Sequence, residues 1–194
     1  MITKIFITFI AFAFLVTGCE KKDDTNAPIK TDKSNPTKPK EQQQEVKKEN
    51  KLNMTGSDGK SYELIADYRG LKFKGYEDKI ILLDFFATWC PPCRAEMPHL
   101  VNLQKKYGDK IQIFSVLMEE NKKNSELTDF IKEFNLNFPI LNSKENFFLS
   151  QALGGIKSLP TLVIYDKSGE YFTHFLGAAP EEMLDATIVK ALAK

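Results

Sequence analysis

Cysteine is scarce in this chain of 194 residues, with three in all. That count excludes the dense disulfide framework of a small secreted scaffold. Histidine is scarcer, with two, so a four-ligand structural zinc site is hard to assemble. An excess of charge of one sign is also missing. Lysine and arginine number 27 against 26 aspartates and glutamates, a net charge of +1, so nothing recommends nucleic acid or an acidic polymer as a partner. No apolar run is long enough for a confident membrane span. The run from Ile5 to Val16 has about twelve residues where roughly twenty are needed. No internal repeat is visible. What is present suffices for a packed domain, since 42% of residues are hydrophobic and 15 phenylalanines supply bulk.

The chemistry concentrates in Trp89-Cys90-Pro91-Pro92-Cys93. The pair follows an apolar run, Ile80 to Phe86, and opens a segment with helical spacing, Arg94 to Tyr107. A strand that feeds a helix, with cysteines at the helix N-terminus, is a site for thiol–disulfide exchange. The free N–H groups and dipole of the helix stabilise a thiolate, which is the nucleophile. The second cysteine, one turn on, can close the ring and release a bound partner.

Along the chain, Met54 to Leu64 reads as a β-hairpin around Asp58-Gly59. Ile80 to Phe86 and Ile111 to Leu117 read as buried strands. Pro91 near the start and Gly108 past the end bound the first helix. Ser125 to Phe134 reads as a helix with a serine cap, Phe138 to Leu141 as a short edge strand and Asn146 to Leu153 as a helix stopped by Gly154-Gly155. Thr161 to Tyr165 and Tyr171 to Leu176 pair around the turn Asp166 to Gly169, and Pro180 to Leu192 is a terminal helix. Alternating strands and helices indicate a three-layer α/β domain. Phe147-Phe148 reads as core, Arg94 as a solvated charge, and His99 and His174 as surface or packing residues.

Leu15-Val16-Thr17-Gly18-Cys19 ends the first apolar run and resembles a bacterial lipoprotein signal, with an aliphatic residue three before, and a small residue directly before, the acylated cysteine. The resemblance implies a signal peptide over 1–18 and a lipid on Cys19. Residues 19–51 have almost no large apolar side chain and carry Pro28, Pro36 and Pro39, which reads as a solvated tether. A flexible chain of that length spans roughly 30 Å. The folded domain is expected over 52–194.

Leu83 to Pro98, with its Trp-Cys-Pro-Pro-Cys core, together with Ser158-Leu159-Pro160-Thr161 and the strand and turn that follow, resembles the TlpA/ResA-like family of thioredoxin-fold thiol–disulfide oxidoreductases. The resemblance covers about Met54 to the C-terminus. It implies a central mixed β-sheet flanked by helices, with the N-terminal β-hairpin and an inserted helix and strand. It implies Cys90 as nucleophile and Cys93 as the buried resolving thiol, with no cofactor beyond their disulfide and no metal. Pro160, after Leu159, matches the family's cis-proline, whose loop faces the cysteines and pairs with substrate. Trp89 is expected to pack beside the sulfur and to meet partners, alongside Pro91 and Pro92. Those two prolines have no N–H, so two donors that could stabilise a Cys90 thiolate are absent, which favours a reducing or neutral poise.

Asp84 is an acid inside an apolar strand, where burial raises a carboxyl's pKa. It matches the proton acceptor of thioredoxin. Its plain alternative is a strand-edge carboxylate that reaches water. Glu96, three residues after Cys93, matches the acid near the active site of ResA-like proteins, and its plain alternative is a solvated helix charge. Having both leaves open which one moves the proton. The resemblance further implies an extracytoplasmic, membrane-anchored disulfide reductase. Its electrons would come from a membrane thiol transporter of the DsbD/CcdA type, and its substrates would be protein disulfides, apocytochrome c among them. The same chemistry reversed gives an oxidase or isomerase. A Sco-type copper module needs a cysteine spacing one residue longer plus a distal histidine. A peroxiredoxin-type motif would require a proline that does not precede Thr88.

Overall fold

The computed structural model describes residues 50–194. The signal segment, Cys19 and the tether up to residue 49 lie outside them. Strand β4 (Ile80–Phe86) is buried along its whole length. It is the middle strand of a five-stranded sheet of order β6-β5-β4-β7-β8. Strands β5 (Ile111–Leu117) and β6 (Ile140–Leu141) run parallel to it; on the other side β7 (Thr161–Tyr165) pairs antiparallel with β4, and β8 (Tyr171–Leu176) pairs antiparallel with β7. A strand covered on both faces needs apolar side chains at every position, hence the unbroken Ile-Ile-Leu-Leu.

Its two faces feed two cores. Ile80, Leu82 and Phe86 pack with Met97, Leu100 and Leu103 of α1 (Pro91–Tyr107), Leu127 of α2 (Asn124–Phe134) and Leu184 and Ile188 of α4 (Glu181–Leu192). Ile81, Leu83 and Phe85 pack with Met54, Leu64, Phe73 and Phe114, and with Leu149 of α3 (Glu145–Ala152). Side chains alternate along a strand, so Asp84 lies on the α1 face.

The second face is covered chiefly by strands. The N-terminal hairpin pairs β1 (Asn50–Thr55) with β2 (Ser61–Ala66) around Asp58-Gly59, and it starts at Asn50, two residues before Leu52. A third strand, β3 (Leu71–Phe73), extends it to a three-stranded sheet. With three residues, β3 carries too little alternation to stand out as a sequence pattern. Phe73 stacks on Phe114 at 4.1 Å, fixing the small sheet to the large one. The hairpin also covers the edge strand β6, through Ser57 N–H to Ile140 O (2.7 Å) and Asn142 N–H to Thr55 O (2.8 Å).

Two readings change. Helix α2 starts at Asn124, and the serine is not its cap. The N-cap is Lys123, whose own N–H donates to the Glu126 carboxylate at 2.9 Å; this is the half of a capping box that the third helical residue supplies, and no cap side chain takes the other half. Phe147-Phe148 is not core, because Phe148 is 56% exposed and α3 turns Asn146, Leu149 and Ser150 inward. Asn146 donates to Leu117 O and Leu141 O, both at 2.8 Å, and so satisfies the carbonyls that end β5 and β6.

The small sheet meets the β7–β8 turn at one tight point. Leu71 N–H donates to Gly169 O at 2.9 Å. A Cβ on Gly70 would lie 1.9 Å from that same oxygen. Gly70→Ala must therefore push two backbones apart. We expect a loss of about 1–3 kcal/mol, the usual scale for an overpacked contact, read as a lower urea midpoint. An unchanged midpoint would mean that this junction is slack.

Candidate active site

Cys90 is the N-cap of α1, with extended backbone (φ −82°, ψ 111°), and Pro91 and Pro92 occupy the first two helical positions. Neither proline can donate. Cys93 N–H reaches Cys90 Sγ at 3.3 Å, and the two cysteines are joined as a disulfide with Cα atoms 5.3 Å apart. In this oxidised form both sulfur-bearing residues are nearly covered, Cys90 at 3% exposure and Cys93 at 0%. Trp89 is 69% exposed. It projects from the loop beside the exposed Pro91 and Pro92.

Strand pairing supplies the second wall. Phe85 lies opposite Thr161, so the preceding Pro160 sits at the end of β4 from which the cysteine loop departs. The Leu159–Pro160 peptide bond is cis. Pro160 O accepts from Gly177 N–H at 2.8 Å, and Thr161 Oγ1 donates to Ser158 O at 2.8 Å. A cavity of about 260 Å³ opens beside this loop, lined by Ser158, Thr161, Val163, Tyr165, Tyr171 and His174 among others.

The cysteine loop is fastened by residues the sequence reading passed over. Thr88 N–H and Oγ1 donate to Glu119 Oε1 at 2.5 and 2.6 Å, and Lys122 pairs with Glu119 at 3.2 Å. Burial pushes the Glu119 carboxyl up, but bonds from Thr88 and Lys122 outweigh it and hold it below the ordinary range. Phe86 lies opposite Leu117 in the parallel β4–β5 pair; two steps further in that register Thr88 faces Glu119. No local pattern could reveal this, because the register becomes known only when the strands pair. Arg94 is also not a free charge. It donates to Thr88 O at 3.1 Å, pairs with Glu133, and its guanidinium lies over the rings of Phe130 and Phe134 at 5.5 and 5.0 Å. It therefore ties α2 to the active-site loop.

Two acids are buried, Asp84 on the face of β4 that packs against α1 and Glu96 on α1 itself. Asp84 is 0% exposed and Glu96 is 1% exposed; neither is a strand-edge or solvated carboxylate. Asp84 Oδ2 accepts from Ser115 Oγ at 2.8 Å, and Glu96 Oε1 from Ala179 N–H at 2.9 Å. Burial, then the charge of Glu96, pushes the Asp84 carboxyl up to about 8, against a smaller opposing effect of Ser115. Burial raises Glu96 as well, partly offset by the Ala179 N–H and by His99. Among the described residues no group of three or more His, Cys, Asp and Glu converges as a metal-ion site.

A disulfide closed at a helix N-terminus, against a cis-proline on the adjoining strand of a mixed sheet, defines a thioredoxin-fold thiol–disulfide oxidoreductase. The chain belongs to the Redoxin family, which matches residues 44–192. It is 29% identical over 130 residues to the thiol-disulfide oxidoreductase ResA of Bacillus thuringiensis subsp. konkukian, covering 66% of this chain and 73% of that protein. The fold is similar to a thiol:disulfide interchange protein of Chlorobium tepidum TLS (TM-score 0.60, 24% identity, 73% of this chain and 93% of the other). It is also similar to an exposed lipoprotein thioredoxin of Streptococcus pneumoniae strain TIGR4 (TM-score 0.57, 24% identity, 73% and 99%).

Proposed function

We propose that this oxidoreductase works as a disulfide reductase on the outer side of a bacterial membrane, held there by a lipid on Cys19. In this reading residues 1–18 are the signal peptide and 19–51 the tether, whose last two residues join β1, and the catalytic domain follows. Electrons enter from an integral membrane thiol transporter of the DsbD/CcdA type. The Cys90 thiolate attacks a substrate disulfide, forming a mixed disulfide and releasing one substrate thiolate. Cys93 then attacks Cys90 Sγ, the second substrate thiolate departs, and two electrons have passed to the substrate. Trp89, Pro91, Pro92, Leu159 and Pro160 form the surface that meets the substrate, with apocytochrome c as the candidate protein. Asp84 and Glu96 handle the protons.

The observation that carries the reducing direction is the hydrogen bond at Cys90 Sγ. It comes from Cys93 N–H at 3.3 Å, and the two preceding helical positions are prolines with nothing to donate. A poorly stabilised thiolate favours the disulfide form of the enzyme, which makes the dithiol the better reductant. Running the same exchange backwards, as an oxidase or isomerase, needs the opposite poise.

Equilibration with dithiol buffers, followed by the fluorescence of Trp89, tests this. The reduction potential should lie nearer thioredoxin's, about −270 mV, than the about −120 mV of a strong oxidant. The wild type should also reduce insulin with dithiothreitol as donor. A value near the oxidising end would replace the reductase reading with the oxidase one. Labelling cells with radioactive palmitate tests the anchor, since Cys19→Ser should abolish incorporation.

A further inference from the structure

Strand β4 passes into the cysteine helix through a single turn. Cys90 N–H donates to Ala87 O at 3.1 Å, so Thr88 and Trp89 are the two corner residues. Every polar group of Thr88 is engaged. Its N–H and Oγ1 donate to Glu119 Oε1 at 2.5 and 2.6 Å, Lys122 Nζ donates to Oγ1 at 3.3 Å, and its carbonyl accepts from Arg94 at 3.1 Å. The second Glu119 oxygen pairs with Lys122 at 3.2 Å, and the two side chains are only 12% and 23% exposed. The corner is thus gripped on one side by the β5–α2 connection and on the other by α1, and Arg94 passes the tie on to Glu133 of α2. Hydrogen bonds to charged groups are the strong ones. A turn needs no such fastening in order to form, since many β-turns lack even the one closing bond.

Resting on the thiol-exchange reading above, we propose that Glu119 is a positioning residue for Cys90, acting through Thr88, with Arg94 as the second arm of the clamp. In the oxidised enzyme the disulfide itself holds Cys90 against the helix. Once that bond is reduced, the Cys90 sulfur stays at the helix N-terminus only if its backbone stays there. The extended N-cap backbone of Cys90 (φ −82°, ψ 111°) and the 3.3 Å contact from Cys93 N–H both depend on the turn that precedes them. Pro91 and Pro92 cannot donate, so that N–H and the helix dipole are the stabilisers this helix end offers a thiolate. A shift of the turn therefore removes a larger share of the stabilisation than at a site with a full set of donors. The clamp serves both half-reactions. In the attack it keeps the thiolate at the helix end. In the resolving step it holds Cys90 Sγ within reach of Cys93 while the substrate is attached. Glu119 and Lys122 neutralise each other, so the pair acts by geometry and not by net charge.

Iodoacetamide alkylation of the reduced full chain across pH, read at Cys90 by mass spectrometry, tests the clamp. In Glu119→Ala the Cys90 midpoint should rise by about half a pH unit or more, because the thiolate loses its place at the helix end. The rate of attack on insulin disulfides should fall on the order of tenfold, as for a misplaced reacting group. Glu119→Gln keeps an acceptor for Thr88 and should restore most of both. A charge acting through space would instead lower the midpoint in the two variants alike, and that result would overturn the proposal. So would an unmoved midpoint and rate in Glu119→Ala, whatever its urea midpoint does, since a merely structural contact changes stability alone. If Glu119→Ala fails to fold, Thr88→Val decides. It removes the hydroxyl arm at nearly equal volume and should raise the Cys90 midpoint, while Thr88→Ser should leave it at the wild-type value; an unmoved Thr88→Val midpoint would overturn the proposal. A wild type that alkylates at Cys90 but reduces no disulfide would defeat the reductase reading, and the alkylation profiles would still judge the clamp.

Discussion

Cys93→Ala is expected to turn the protein into a trap. Cys90 would still attack a substrate disulfide, because its place at the α1 N-terminus does not depend on the Cys93 side chain; the hydrogen bond at Cys90 Sγ comes from the backbone of residue 93. The mixed disulfide then has no thiol to resolve it, and steady-state turnover should drop by a factor on the order of 10³ or more, as when one member of a catalytic unit is removed. Covalent adducts should accumulate in cells and survive non-reducing electrophoresis. Mass spectrometry of those adducts would identify the physiological substrate and test the apocytochrome c assignment directly. Cys90→Ala should lose turnover equally and form few adducts. If Cys90→Ala traps as much as Cys93→Ala, the two roles are reversed. The burial of both residues, 3% and 0% exposed, makes the contrast informative, since accessibility alone hardly separates them.

Asp84→Asn should make the oxidised protein more stable at alkaline pH and less sensitive to pH. In the folded protein burial, then Glu96, holds the Asp84 carboxyl at about 8, whereas in the unfolded chain it titrates near the ordinary value of about 3.9. Below about pH 4 both states keep the proton, and stability does not depend on it. Between about pH 4 and 8 the unfolded state has released a proton that the folded state retains. Stability therefore falls as pH rises, by up to about 1.4 kcal/mol per pH unit. Across the window the loss reaches several kcal/mol, a large part of the roughly 5–15 kcal/mol of a typical domain. Asparagine has no proton to lose, so the variant escapes this slope, apart from a pH-independent cost for its amide. The raised Glu96 adds a slope of the same sign that the variant retains in weakened form. Urea denaturation at pH 5 and pH 8 measures the difference. Wild-type and variant midpoints that shift in parallel would mean Asp84 is ionised in the folded protein. An acid that destabilises the fold at working pH is costly to keep, which is why a role in proton transfer is the economical reading.

Much of this site is written in local pattern. The strand Ile80–Phe86, the helix opened by Pro91 and closed by Gly108, and the pair Tyr171–Leu176 and Thr161–Tyr165 follow from apolar runs and turn residues. Asp84 announces itself as buried, because a strand covered on both faces has no wet side for it. What escaped was whatever depended on distant pairing. Strand β3 is short and exists because Leu64 finds Phe73. The Thr88–Glu119 and Arg94–Glu133 contacts join positions 31 and 39 residues apart, with no period linking them. Phe148 looks like core by type but sits on the outer side of α3.

By itself, then, the chain determined the reagent. Two cysteines one turn apart open a helix whose first two residues cannot donate, after a strand that carries a buried acid. Those are properties of neighbours in sequence, and short-range geometry suffices to read them. Only the tertiary structure decided the setting. Register places Pro160 beside the cysteine loop. A hydrogen bond across 83 residues ties Glu96 to Ala179, and each acid keeps one buried oxygen without a partner. The physical reason is that desolvation and pairing depend on which segments meet in space, and that is settled by packing of the whole sheet.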